Sequence, residues 1–310
     1  MTNRADLAAI AEAIDGALSD VPEHLLVPVP MPETAPPLRS LSAECEALLS
    51  AAPRQPPVRI VQHFACTGGT LIARALAVQP NVTLLSEIDP LSTMSVRRNN
   101  PGFAPTDIIY GLRHALRQVD NPVLADMFMA SLEVLHAHVE EQGLNLVLRD
   151  HTHSQYCVQS DPASRPSLHD LVSRRLRSLA VVTVRHPLDS FVSLATLGWH
   201  NDMDPATLET YCQRYLAFLA ENRDAPLFRY EDFTANPSKV LEQICAALEL
   251  DYSEESLTLL AAARLSGDSG RSSNEIVQRP RREVPDWIES ERQNSESYRT
   301  LCAALGYPES

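Results

Sequence analysis

A chain of 310 residues, 44% hydrophobic and 21% charged, has ordinary globular composition and room for one large α/β domain or two small ones. Its formal net charge of −14 excludes bulk binding of nucleic acid or heparin-like polymers, because nothing global attracts a polyanion; a local basic pocket for a small anion remains open. Lys239 is the sole lysine, so any phosphate-binding lysine has one candidate, and the planar fork of arginine must grip anions elsewhere.

Residues 5–26 carry helical periodicity through Leu7, Ile10, Ile14 and Leu18. The segment 27–37, VPVPMPETAPP, cannot continue a helix, and residues 40–52 read as another short one. Residues 1–55 are therefore expected to be a helical extension with a proline-rich linker, serving as a packing arm or a contact between copies. The domain proper is expected over 56–310. It opens with the strand 58–64, VRIVQHF, then the tight loop ACTGGT and a helix LIARALAVQ. A strand at 82–88 follows, then a loop at 92–105 and helices near 106–119 and 122–142. Further strands are expected at 144–151, 179–187 and 226–233. Helices are expected in DSFVSLATLGW, opened by Pro187, and at about 205–222, 238–248 and 284–305. Strands alternating with helices predict an α/β fold with a parallel central sheet of about five strands flanked by helices.

Aromatics are only 5% of the chain, so the core is expected to be aliphatic. Cys45, Cys66, Cys157, Cys212, Cys245 and Cys302 show no CxxC spacing, which points away from a zinc knuckle or redox pair and toward a reducing, cytoplasmic compartment. The N-terminus does not read as a signal peptide, and no apolar run approaches the roughly 18 residues of a membrane span. No cluster of metal ligands is apparent.

Two segments carry chemistry. In Cys66-Thr67-Gly68-Gly69-Thr70, glycines let backbone N–H groups turn toward an anion, the following helix adds its dipole, and Thr67 and Thr70 offer hydroxyls. The same residues also fit a plain strand–helix turn. The segment contains no GxxxxGK[ST] motif, which weighs against an ATP-dependent P-loop kinase. In Arg185-His186-Pro187-Leu188-Asp189-Ser190-Phe191-Val192-Ser193, Arg185 ends a strand, where open α/β sheets place ligands. Ser193 follows two helical turns later, so the two side chains can grip one phosphate from two directions. Pairing of Arg185 with Asp189 as a structural cap is the alternative.

The strand–loop–helix around Thr67–Thr70, followed by RHPLDSFVS and by FRYEDFTANPSKVLEQICAALELDY at 228–252, resembles the sulfotransferases that use 3′-phosphoadenosine-5′-phosphosulfate (PAPS). The resemblance spans about residues 58–252 in the family's order. It implies a P-loop-like fold and transfer of a sulfuryl group from PAPS to a hydroxyl or amine, with release of 3′-phosphoadenosine-5′-phosphate (PAP) and no metal. The acceptor would be a small molecule or carbohydrate. Cys66, Thr67, Gly68, Gly69 and Thr70 would bind the 5′-phosphosulfate; Arg185 and Ser193 would bind the 3′-phosphate, with Arg271 as its match in a late closing loop. Cys66 stands where the family usually has lysine or arginine. Arg149, matching the lysine of a Lys-x-His strand end, is placed to restore that charge. His151 then matches the general base, and Glu87, after the second strand, is the rival base. A non-catalytic PAP-binding scaffold is the alternative that Cys66 keeps open.

Overall fold

The computed structural model describes residues 55–94, 104–117, 119–265, 276–278 and 280–309, together with Glu12, Ala13 and Gly16. Contacts divide the chain into Met1–Pro56 and Pro57–Ser310. The expected N-terminal helices and linker lie almost wholly outside the described residues, as does Arg271.

β1 (Val58–His63) is buried along its whole length. A strand hidden on both faces reads as a continuous β-rich run rather than an alternation, which is what VRIVQH shows. It is followed by β2 (Val82–Ile88), β3 (Asn145–Asp150), β4 (Ser178–Val184) and β5 (Leu227–Arg229). The strands form one parallel sheet in the order β2-β3-β1-β4-β5. β1 is central, with β3 on one side and β4 on the other. Outside the carboxyl ends of strands arranged this way, the connecting loops part and leave a crevice.

Each face of the sheet is covered by aliphatic packing. On one face Val58, Ile60, Leu146 and Leu148 meet Leu124, Met129 and Leu132 of the helix Asn121–Glu141. On the other, Val61, Val147 and Val181 meet Ile72 and Leu76 of the helix Gly69–Ala77 and Leu241 and Ile244 of the helix Pro237–Ala247. The expectation of an aliphatic core holds for these two layers. It fails beyond β1, where Phe64, Tyr156, Phe191, Tyr211, Tyr215 and Phe218 form an aromatic cluster, with Phe64 and Tyr215 stacked at 4.4 Å. Six aromatics thus pack together under the loop that follows β1.

The helix expected near 106–119 covers only Ile108–Arg113, and two further element boundaries differ from expectation for physical reasons. The strand expected at 226–233 stops at Arg229, and Tyr230–Ala235 is helical. β5 is an edge strand that pairs only with β4, and β4 ends at Val184 opposite Arg229, so no ladder partner remains. Helix formation then brings Phe233 into the core. The helix expected at 284–305 is two helices, Asp286–Asn294 and Glu296–Leu305. Ser295 divides them: its hydroxyl accepts from the Tyr298 amide at 3.0 Å, capping the second helix, and donates to Glu209 at 2.6 Å.

Candidate functional site

The loop after β1 is held from below. The Thr67 hydroxyl donates to the Phe64 carbonyl at 2.7 Å, and its amide donates to the same oxygen at 3.2 Å. Thr67 is fully buried, so the hydroxyl expected at the anion is spent inside the loop. Tyr211, from the aromatic cluster, donates to the Ala65 carbonyl at 2.9 Å. Above this base the backbone turns left-handed at Cys66 (φ 63°) and again at Gly68 (φ 89°). Gly68 is required there twice over, because a Cβ would also lie 2.2 Å from the Tyr230 ring. Gly69 and Thr70 then open the helix, where first-turn amides have no intrahelical acceptor.

Arg185 follows β4 and reaches across to this loop. Its Nη1 donates to the Cys66 carbonyl and to the Ser193 hydroxyl, each at 3.4 Å. Its guanidinium lies over the Tyr230 ring, 5.0 Å from the centroid. Asp189 does not cap it: that carboxylate pairs with Arg281 at 2.9 Å. Among the described residues Arg185 forms no ion pair. The YED triplet clamps the same region. Tyr230 supports Gly68 and Arg185, and Glu231 accepts from the His186 amide at 3.0 Å and from the Tyr307 hydroxyl at 2.6 Å.

The second half of the site lies across β1, on β2 and β3. Glu87 has φ 60°, within an irregularity of the β2–β3 register between Leu85 and Ile88. A left-handed non-glycine residue costs about 1–2 kcal/mol, and Cys66 and Glu87 both take that conformation. The turn aims Glu87 at β3. Its Oε1 lies 2.7 Å from Arg149 Nη1, and its Oε2 lies 3.4 Å from His151 Nε2. Glu87 and His151, rivals in the sequence, are neighbours in space. Arg149 is buried and binds in several directions: Nη1 also donates to Ser86 Oγ at 2.9 Å, and Nη2 donates to Thr70 Oγ1 at 2.8 Å and to His63 Nε2 at 3.0 Å. The charge expected from β3 therefore reaches the loop through Thr70.

His153, the second imidazole, is buried, and burial first, then His151, pushes its pKa down to about 4. It is neutral near pH 7, so its 3.9 Å approach to Asp202 is not an ion pair. His153 packs edge-on against Trp199 at 5.4 Å. Its neighbour Asp150 is also buried, which raises its carboxyl well above the usual range, helped by Asp89.

His63, Ser86 and Tyr230 carry site geometry and were not singled out in the sequence. Tyr230 stood inside a quoted motif without a role. His63 had one signal: a titratable residue at the buried end of the strand leading into the loop. Among the described residues no group of three or more His, Cys, Asp or Glu could hold a metal ion. No described helix is long and apolar enough to cross a membrane.

The parallel sheet, the glycine loop after β1 and the arginines Arg149 and Arg185 at the ends of β3 and β4 make up an α/β architecture with its polar groups gathered at the strand ends. A family model described as the sulfotransferase family matches residues 60–254, well over half of the chain. The chain belongs to that family, and its fold is the P-loop-like sulfotransferase fold. No curated protein matches it. Among solved structures it is similar to the sulfotransferase domain from the Synechococcus PCC 7002 olefin synthase, at 17% identity over 83% of this chain and 98% of that one, with a TM-score of 0.45. The sulfotransferase domain from the curacin biosynthetic pathway is also 17% identical, over 82% and 99%, with a TM-score of 0.46. Mouse sulfotransferase SULT7A1, complexed with PAP, is 13% identical over 85% and 94%, with a TM-score of 0.36.

Proposed function

We propose that this sulfotransferase takes its sulfuryl group from PAPS and transfers it to a hydroxyl of a small-molecule or carbohydrate acceptor. The observation that carries the donor assignment is Arg185. It is partly buried at a strand end, has no ion pair among the described residues, and converges with Ser193 beside a glycine loop. A cation so placed suits a phosphate. Arg185 and Ser193 would hold the 3′-phosphate, and the amides of Gly68, Gly69 and Thr70 would hold the 5′-phosphosulfate, with Cys66 and Thr67 shaping the turn. Arg271, outside the described residues, is proposed to close over the nucleotide. Bound PAPS supplies a sulfuryl group on a phosphosulfate anhydride; the new acceptor O–S bond replaces the S–O bond to the 5′-phosphate, whose oxygen keeps the electron pair.

The chain's own residues supply the rest. His151 takes the acceptor proton, because it is the more exposed of the two base candidates and Glu87 is already committed to Arg149. Glu87 orients His151 and steadies the imidazolium that forms. Arg149 places positive charge beside Thr70, where the residue at position 66 has none, and stabilises charge growing on the leaving phosphate. The five described cysteines hold free thiols, which supports a cytoplasmic setting.

Calorimetry with PAP and with Mg-ATP tests the donor. PAP should bind and Mg-ATP should not, and Arg185→Ala should weaken PAP at least about tenfold, the loss of roughly 1.5–3 kcal/mol for a charged hydrogen bond. Unchanged PAP affinity in that variant would refute the assignment.

A further inference from the structure

We propose that His63 is a positioning residue that, as the neutral Nδ1–H tautomer, fixes the Arg149 guanidinium against the donor loop. The inference rests on the role given to Arg149 above. Four observations converge on it.

The tautomer follows from chemistry. A guanidinium only donates, so at 3.0 Å from Arg149 Nη2 the His63 Nε2 must be the acceptor, and the ring proton must sit on Nδ1. A protonated ring would turn a donor on a donor and set two cations face to face. The surroundings oppose that state: burial, then the charge of Arg149, then His151 and His153, hold His63 well below the ordinary histidine range.

The ring cannot turn aside. A Cβ on Gly69 would lie 2.1 Å from His63 Cδ2 and 2.3 Å from Cγ. The imidazole therefore occupies the space that a side chain at position 69 would fill. The bare backbone at Gly69 and the bulk of His63 form one fitted pair. From the other side, the Thr152 hydroxyl donates to the His63 carbonyl, tying the end of β1 to the segment after β3.

The residue also carries a cost that packing alone would not justify. Its Nδ1–H meets no acceptor among the described residues, although the side chain is almost wholly buried. An apolar ring would fill the space without that penalty. What it could not do is accept from Arg149. With that bond, Arg149 Nη2 is held between His63 and Thr70 while Nη1 is held between Ser86 and Glu87, which locks the guanidinium plane.

Replacements separate the hydrogen bond from the bulk. In His63→Gln the amide oxygen falls near the position of Nε2 and can still accept. In His63→Asn it falls near Nδ1 and cannot reach, and His63→Phe fills the space with no acceptor. PAP affinity should stay within about twofold of wild type for Gln and fall five- to tenfold for Asn and Phe, with melting curves confirming that each variant is folded. Gly69→Ala should lower Tm in wild type and have little further effect in the His63→Ala background. Long-range 1H–15N spectra of the wild-type imidazole at pH 7 should show the Nδ1–H tautomer. The Nε2–H tautomer or an imidazolium would overturn the proposal, as would wild-type PAP affinity in His63→Phe beside a clear loss in Arg149→Ala. If wild type bound no PAP, the donor assignment would fall, while the spectrum would still decide the His63 bond.

Discussion

At the scale of single residues, the site depends on backbone turns that few side chains tolerate. Gly68→Ala meets both a left-handed φ and the Tyr230 ring, so it should destabilise the protein by more than about 1 kcal/mol and loosen PAP; thermal melts with and without PAP would read both effects. Arg149 is a buried cation whose pairing with Glu87 offsets its desolvation. Glu87→Ala should cost about 3–5 kcal/mol, the range for removing one partner of a buried pair, measured by urea unfolding. Glu87→Gln keeps the shape, and should lower sulfuryl transfer more than it lowers stability. Parts of this site were legible in the sequence. Arg185 and Ser193 lie eight positions apart on one strand–helix unit, so their convergence is a local property. The Glu87–His151 contact was not legible, because it joins neighbouring strands more than sixty residues apart and depends on an irregularity in β2 that composition does not encode.

At the scale of elements, the parallel sheet could be read from the alternation of β-rich runs and helical stretches, and its strand number was anticipated. The ends of elements were harder to read, because neighbours rather than local propensity set them. Residues 226–233 are rich in strand formers, yet β5 ends where β4 ends. The terminal helices looked continuous until Ser295 found Glu209, 86 residues away. The short helix Tyr230–Ala235 that replaces the end of the expected strand has a use. It sets Tyr230 under the loop that follows β1 and aims Glu231 at the His186 amide and at Tyr307. Tyr307→Phe leaves a half-buried carboxylate short of one donor and should cost about 1 kcal/mol. If Glu231 positions the Arg185 segment, PAP affinity should fall along with Tm; a fall in Tm alone would confine the contact to folding.

At the scale of the molecule, the net charge of −14 coexists with a site whose working cations are few and placed. Protonation of buried histidines sets part of its pH response. His153 has a folded value of about 4 against an ordinary 6.5, so between these the unfolded chain holds more protons and stability rises with pH. Its contribution is complete above about pH 6.5 and is lost as pH falls toward 4, on the order of 3 kcal/mol. His63 acts in the same direction. Asp150, raised by burial, acts oppositely, its contribution being lost as pH rises above the ordinary carboxylate range. Comparing wild type with His153→Phe by urea unfolding at pH 7 and pH 5 isolates the one histidine: the variant should lose less stability on acidification.

The strand order also divides the labour of the crevice. Arg185 and Ser193 belong to the β4 side, whereas Glu87, Arg149 and His151 belong to the β2–β3 side, with β1 between them. Segment 154–168 borders the second group, where the Ser154 hydroxyl donates to the His151 carbonyl at 2.8 Å, whereas segment 198–206 lies against the helix Pro187–Thr196 that carries Ser193, with His200 beside Phe191. Such a molecule is suited to change customers while keeping its currency. Diversifying segment 154–168 alone should yield variants that sulfate different acceptors yet retain the parent affinity for PAP, and a selection in which the two properties always moved together would show that the crevice is not divided in this way.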